Sequence, residues 1–273
     1  MTSTPLTPSQ RDDLVDTSLA LLVQEHPEAQ RLLDAISADA PSRRRPALRA
    51  LLNMRPAAPL PTELQVSLDR LLAAEAAERT IVGARDLPGT ALDPRLSLRL
   101  GDITTIRADA IVNAANSAML GCFQPLHACI DNAIHSAAGP GLRQECADIM
   151  AARGRPEPTG TATATGSYHL PATHVIHTVG PIIHGEPTAE HEALLASSYR
   201  SCLRAAEDLG ASSIALCCIS TGVFGYPKAE AATVAVRTVR DLLPHCQSLT
   251  KVVFNVFDPT DESIYRALLG PDR

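Results

Sequence analysis

The sequence predicts an α/β fold built in layers around a largely buried sheet, preceded by an all-helical N-terminal extension. Two observations carry this. From about residue 80, strand-length apolar runs alternate with longer segments at helical spacing, the signature of layered α/β architecture. Ser213 to Ile219 (SIALCCI) is an unbroken apolar run, as expected of a central strand covered on both faces. Residues 1–80 form the extension and 81–273 the α/β domain.

The elements follow in order. Thr7, Pro8 and Ser9 suit a helix start, and Leu14, Val15, Leu19, Leu22 and Val23 recur at helical spacing. A second helix is predicted over 27–37 with Leu32, Leu33 and Ile36 as its stripe. Ser42 would cap a third, through Leu48, Leu51 and Leu52. The run Arg43, Arg44, Arg45 reads as a solvated helix start in preference to a phosphate patch. Pro56, Pro59 and Pro61 break the chain before a fourth helix from Thr62 to about Arg79. Leu96 to Leu100 alternates as a half-buried strand should. Further strands are predicted at 110–114, 161–167, 174–179, 213–219 and 251–257. Helices are predicted at 130–138, 140–153, about 188–209, 227–243 and 260–269.

Composition narrows the function. A net charge of −6, no Trp and 3% aromatic residues leave little for a nucleic-acid surface. No stretch has the length of a transmembrane helix, and the N-terminus lacks a secretory pattern. Seven scattered cysteines are odd in number and suggest no disulfide framework. These features predict a soluble cytoplasmic protein, monomeric by default, whose thiols stay free to bind metal.

The chemistry concentrates in residues 101–139. Ile111 and Val112 mark a buried strand, and Asn113 and Asn116 sit at its C-terminal end, where open α/β sheets bind ligands. Cys122, His127 and Cys129 follow, spaced C-x4-H-x-C. Two thiolates and an imidazole suit Zn2+, and only three ligands leave a fourth position open, as in catalytic zinc sites. Two buried thiols and a surface His are the plainer alternative. Cys217 and Cys218 read as core, and Cys146, Cys202 and Cys246 as structural. Downstream, Ser220-Thr221-Gly222-Val223-Phe224-Gly225 follows a buried strand and precedes a helix. Its glycines allow the close backbone approach that a pyrophosphate requires.

GDITTIRADAIVNAAN (101–116) resembles the opening signature of macrodomains, and STGVFGYP (220–227) is a second matching motif. GCFQPLHACIDNAIH (121–135) departs from the usual glycine-rich macrodomain loop and is similar to that of the zinc-containing, sirtuin-associated microbial macrodomains. The resemblance spans about residues 80–270. It implies a three-layer α/β/α fold with a mixed sheet and hydrolysis of mono-ADP-ribose from modified, acidic protein side chains. It further implies that Asp102 accepts the adenine amino group and Ile103 lines its pocket. By the same resemblance Phe224 packs on the distal ribose, Asn116 holds it, and Asp131 orients or deprotonates water. Asn255 and Phe257 resemble residues around adenine. Asp102 could equally cap a turn. Asp131 could equally serve the helix dipole, worth roughly 0.3–1 kcal/mol. His135, one turn after Asp131, reads as a supporting residue and His177 as core. The implied partners are ADP-ribose and a mono-ADP-ribosylated protein, with a lipoyl-carrier protein suggested by the family.

Three other functions use overlapping features. A non-catalytic ADP-ribose reader needs the cradle without an open metal site. An O-acyl-ADP-ribose esterase would use the same pocket. A deaminase-like zinc hydrolase would need H-x-E and P-C-x-x-C, which are missing.

Overall fold

The computed structural model describes residues 5–37 and 43–273. Ser42, expected as a helix cap, lies outside them, and so do the side chains of Leu32 and Ile36. The chain forms two compact units. The first joins the described residues up to Arg79 with Leu120–Asp148 and Tyr168–Leu170. The second comprises Thr80–Met119, Ile149–Ser167 and Pro171–Arg273.

The first unit opens with helices α1 (Pro8–Glu25), α2 (Ala29–Ser37), α3 (Arg44–Met54) and α4 (Thr62–Glu78). Thr7 begins α1 through a capping box: its Oγ1 accepts from Gln10 N at 3.2 Å, and its N donates to Gln10 Oε1 at 2.9 Å. The apolar stripes meet in one core: Leu14, Val15, Leu19 and Leu22 of α1, Leu48 and Leu51 of α3, Leu64, Leu68 and Leu71 of α4. Ion pairs tie the outer faces together. Arg44 meets Asp16 at 2.6 Å, Arg45 grips Glu75 with two nitrogens at 2.6 and 2.7 Å, and Arg55 meets Glu25 at 2.6 Å. The arginine run therefore spends two of its charges on neighbouring helices. Helices α5 (Ile130–Ala138) and α6 (Pro140–Arg153) follow later in the chain, with α5 packed on α3 and α4.

The second unit holds the sheet. Its strands are β2 (Leu96–Leu100), β4 (Ala110–Ala114), β5 (Ala162–Gly166), β6 (His174–Thr178), β7 (Ser213–Leu216) and β8 (Lys251–Val256). Their spatial order is β2-β8-β7-β4-β6-β5. All pairs are parallel except β5 with β6, so the sheet is mixed, as expected. A separate parallel pair, β1 (Val82–Gly83) with β3 (Ile106–Arg107), carries no periodicity to betray it in sequence. Helices α7 (Ala189–Asp208), α8 (Lys228–Leu242) and α9 (Pro259–Leu269) lie side by side. Helix α7 packs on β5 and β6, and α9 packs on β2 and β8. Strand β7 ends at Leu216, short of the predicted Ile219. Cys217 and Ile219 stay buried but leave the ladder to begin the next loop.

Candidate functional site

Strands β2, β8, β7 and β4 are parallel neighbours, so their C-terminal ends share one edge of the sheet. Each end delivers residues singled out in the sequence. Across the edge they run Asp102 after β2, Phe257 after β8, Ser220–Gly225 after β7, and Asn116 after β4.

Asp102 caps a 3-10 turn at Ile103–Thr105, its Oδ1 accepting from Thr104 N at 2.9 Å and Thr104 Oγ1 at 2.8 Å. Its Oδ2 has no partner among the described residues, and the side chain is exposed. Ile103 is buried beside it. Asn255 is committed to bracing: Oδ1 accepts from Arg99 Nη1 at 2.6 Å, and Nδ2 donates to Gly101 O at 2.8 Å. Burial lowers the Arg99 pKa. Phe257, by contrast, is 80% exposed, an aromatic face offered to solvent at the sheet edge.

Three carbonyls of the 220–225 loop are held by backbone N–H groups. Ser220 O accepts from Tyr226 N at 2.9 Å, Gly222 O from Gly225 N at 3.0 Å, and Phe224 O from Ile183 N at 2.8 Å. The N–H groups of Thr221, Gly222, Val223 and Phe224 have no partner among the described residues. Successive unpaired N–H groups at a sheet edge form a concavity for an anion. Two left-handed residues shape it, Ser220 (φ 67°) and Gly225 (φ 72°). The buried Ser220 Oγ has no partner among the described residues. The loop's root is pinned by Tyr199, whose hydroxyl donates to Cys217 O and accepts from Ile219 N, both at 3.2 Å. Sequence reasoning missed Tyr199, because a helical tyrosine gives no sign of its partners.

Asn116 is half-buried, its Oδ1 accepting from Ala118 N at 3.0 Å. Asn113 is fully buried on β4. It faces His177 across the β4–β6 register, with Asn113 Nδ2 to His177 Nδ1 at 3.1 Å. His177 Nε2 continues to Thr165 Oγ1 at 3.0 Å. Burial drives the His177 pKa down to about 4, so its imidazole is neutral. Asn113 thus holds the strand that presents Asn116.

In the first unit, Cys122, His127 and Cys129 converge, their ligand atoms all lying within 4.8 Å of one another. Cys122 Sγ and His127 Nδ1 are 3.5 Å apart. A tetrahedral zinc site with Zn–S of about 2.3 Å and Zn–N of about 2.0–2.1 Å has an S–N edge of about 3.6 Å. The donor set and its spacing fit the ion. Cys129 also caps α5, its Sγ accepting from Asn132 N at 3.4 Å. Burial pushes the Cys129 thiol up to about 11. Gly121 (φ 78°) lies so close to His135 that a Cβ there would sit 2.9 Å from the ring. His135 Nε2 approaches Asp131 Oδ1 at 3.5 Å; both are buried, Asp131 in the first turn of α5 and His135 in its last. Arg143, missed by sequence reasoning, is 6% exposed. It donates to Leu120 O at 2.7 Å, Leu52 O at 2.9 Å and Arg55 O at 2.6 Å. Its guanidinium stacks 4.5 Å from the Phe123 ring. A lone arginine in a helix carries no signal of such a role.

The Macro domain family matches residues 112–235. A protein-ADP-ribose hydrolase of Treponema medium is 49% identical over 225 residues, covering 82% of this chain and 86% of its own. One of Staphylococcus aureus strain Mu50 is 45% identical, covering 82% and 84%. Among solved structures, the Trypanosoma brucei macrodomain in complex with ADP-ribose superposes with a TM-score of 0.64 at 30% identity. It covers 85% of this chain and 97% of its own. With identities of 45–49% over most of both chains, the chain belongs to the macrodomain family.

Proposed function

We propose that the chain is a zinc-dependent hydrolase that removes mono-ADP-ribose from modified proteins, with acidic side chains as the attachment points. The observation that carries the zinc reading is the three-donor cluster of Cys122, His127 and Cys129 with a near-tetrahedral Cys122–His127 spacing. The sheet-edge order of Asp102, Phe257, the 220–225 loop and Asn116 supports ADP-ribose as the ligand. So do relatives named for hydrolysing protein-ADP-ribose.

The residues divide the work. Asp102 Oδ2 accepts the adenine amino hydrogen, and Phe257 packs on the ring. The free N–H groups of Thr221 to Phe224 receive the pyrophosphate oxygens. Phe224 contacts the distal ribose, and the Asn116 amide holds its hydroxyls. Asp131, steadied by His135, orients the attacking water and takes its proton. The bond between C1″ and the side-chain oxygen breaks as the water oxygen bonds to C1″. The proton passes to the leaving carboxylate, giving free ADP-ribose and the unmodified protein. Zinc held by the two thiolates and the imidazole supplies Lewis-acid chemistry toward an oxygen of the substrate or water. Thiolate ligation implies a reducing, cytoplasmic setting, and the family resemblance suggests a lipoyl-carrier protein as one target.

The test is product analysis. The enzyme is incubated with a mono-ADP-ribosylated protein, and the products are resolved by chromatography and mass spectrometry. Free ADP-ribose with an intact, unmodified protein is expected, and Asn116→Ala should slow its release. Tight ADP-ribose binding without release would make the chain a reader and overturn the proposal.

A further inference from the structure

The N-terminal helices touch the metal loop at a place where the backbone is under strain. Leu126, one residue before His127, has φ 54°, a left-handed conformation that side chains other than glycine rarely adopt. Its N–H donates to Asn53 Oδ1 at 3.1 Å. Asn53 lies near the end of α3 and is 3% exposed. Its Nδ2 donates to Ser136 Oγ of α5 at 3.0 Å, which fixes the amide's orientation. Around it the same helix reaches α5 twice more. Arg49 Nη2 donates to Asn132 Oδ1 at 2.7 Å, and Arg49 Nε donates to Ser136 Oγ at 3.1 Å. Asn132 in turn donates to Gln124 O of the loop at 3.1 Å.

The turn at Leu126 swings His127 back toward Cys122. With His127 N donating to Gln124 O at 3.3 Å, the left-handed residue closes a tight bend across Gln124–His127. The bend leaves His127 Nδ1 3.5 Å from Cys122 Sγ. A residue stays in an unfavoured backbone conformation only where its surroundings hold it there, here through an acceptor for its N–H. Asn53 is that acceptor.

Resting on the zinc reading above, we infer that Asn53 is a positioning residue of the metal site. Through it the N-terminal helical segment sets the His127 ligand in place. Removing the acceptor lets Leu126 relax to negative φ, and His127 moves off the Cys122–Cys129 pair. The thiolates remain, so zinc still binds, but more weakly and with a looser geometry. Residues that orient metal ligands commonly contribute about 10–100-fold in metal affinity.

The experiment uses the full chain. Zinc dissociation constants are measured by competition with a chromophoric chelator, and Co2+ absorption reports the coordination geometry. Asn53→Ala should weaken zinc about 10–100-fold and reduce the tetrahedral Co2+ band, while ADP-ribose affinity by calorimetry stays unchanged. Asn53→Asp keeps an acceptor and should stay within about threefold of wild type. Adding Leu126→Gly to Asn53→Ala should recover affinity, because glycine adopts the turn without strain. A folded Asn53→Ala with wild-type zinc affinity and Co2+ spectrum would overturn the inference. If Asn53→Ala does not fold, Leu126 carries the test, since it is 42% exposed. Leu126→Val should then bind zinc more weakly than Leu126→Gly, and equal affinities would overturn it. A wild-type chain that binds no zinc would instead remove the metal reading itself.

Discussion

Gly180→Ala should loosen the anion cradle from a distance. A Cβ at Gly180 would lie 2.1 Å from Ser220 Oγ and 2.6 Å from Ile219 Cγ2. Ser220 can turn its hydroxyl away by rotating χ1. Ile219 cannot escape so easily: it is fully buried and β-branched, hence stiff at χ1. Ordinary contact begins near 3.4 Å, so Ile219 must retreat by 3.4 − 2.6, about 0.8 Å. The displacement passes to the backbone of Ile219 and Ser220, where the left-handed turn begins. Overpacking of this kind costs about 1–3 kcal/mol of stability. The larger effect falls on ligand binding. Each hydrogen bond from an N–H to a charged phosphate is worth about 1.5–3 kcal/mol. Misplacing one N–H of the 221–224 set should therefore weaken ADP-ribose about 10–100-fold. Calorimetric titration with ADP-ribose and with ADP checks this, and urea unfolding monitors stability. Both ligands should lose equally, since both carry the pyrophosphate. A folded Gly180→Ala that binds both within twofold of wild type would refute the role of the loop.

Three further outcomes follow from particular side chains. His177 is held neutral, with its pKa lowered to about 4 against about 6.5 in an unfolded chain. The unfolded state binds the extra proton between those values, so the contribution is intact above pH about 6.5 and is lost as pH falls toward about 4. The loss is at most about 3 kcal/mol, and urea unfolding across that range should show it in wild type but not in His177→Gln. Phe257→Ala removes an 80%-exposed ring, so thermal stability should hold while ADP-ribose binding weakens about tenfold and ribose 5-phosphate binding does not change. Arg143→Lys replaces a fork that serves three backbone carbonyls with a single point donor. Unfilled carbonyls at about 1–3 kcal/mol each should lower stability by about 3 kcal/mol in denaturant titrations, and a loss below about 0.5 kcal/mol would contradict the clamp.

Much of this architecture is legible in the chain. The α1 stripe of Leu14, Val15, Leu19 and Leu22 is buried as its period requires, because a helix without such a face has nothing to pack with. Apolar β4 and β8 lie inside the sheet for the same reason. The convergence of Cys122, His127 and Cys129 is legible because they are close in sequence, so local bends suffice to join them. Long-range polar contacts are not legible. Asn53 meets Leu126 across 73 residues, and Arg143 meets Leu52 across 91, and neither side chain advertises a partner by period or spacing. Backbone strain is equally silent: nothing in a leucine at 126 announces a positive φ. Ion pairing is silent too. Arg44 and Arg45 read as a solvated run until Asp16 and Glu75, placed by the fold, stand opposite them.

The most direct test of the central claim follows free ADP-ribose released from a mono-ADP-ribosylated protein. The enzyme is assayed zinc-loaded, after chelation and buffer exchange, and after zinc is restored, with Cys129→Ala and Asp131→Ala beside it. Release should disappear with the metal and return with zinc, Cys129→Ala should be inactive, and Asp131→Ala should retain part of the rate. Undiminished release from the metal-free enzyme, or wild-type rates from Cys129→Ala, would contradict it and move the chemistry to Asn116 and Asp131.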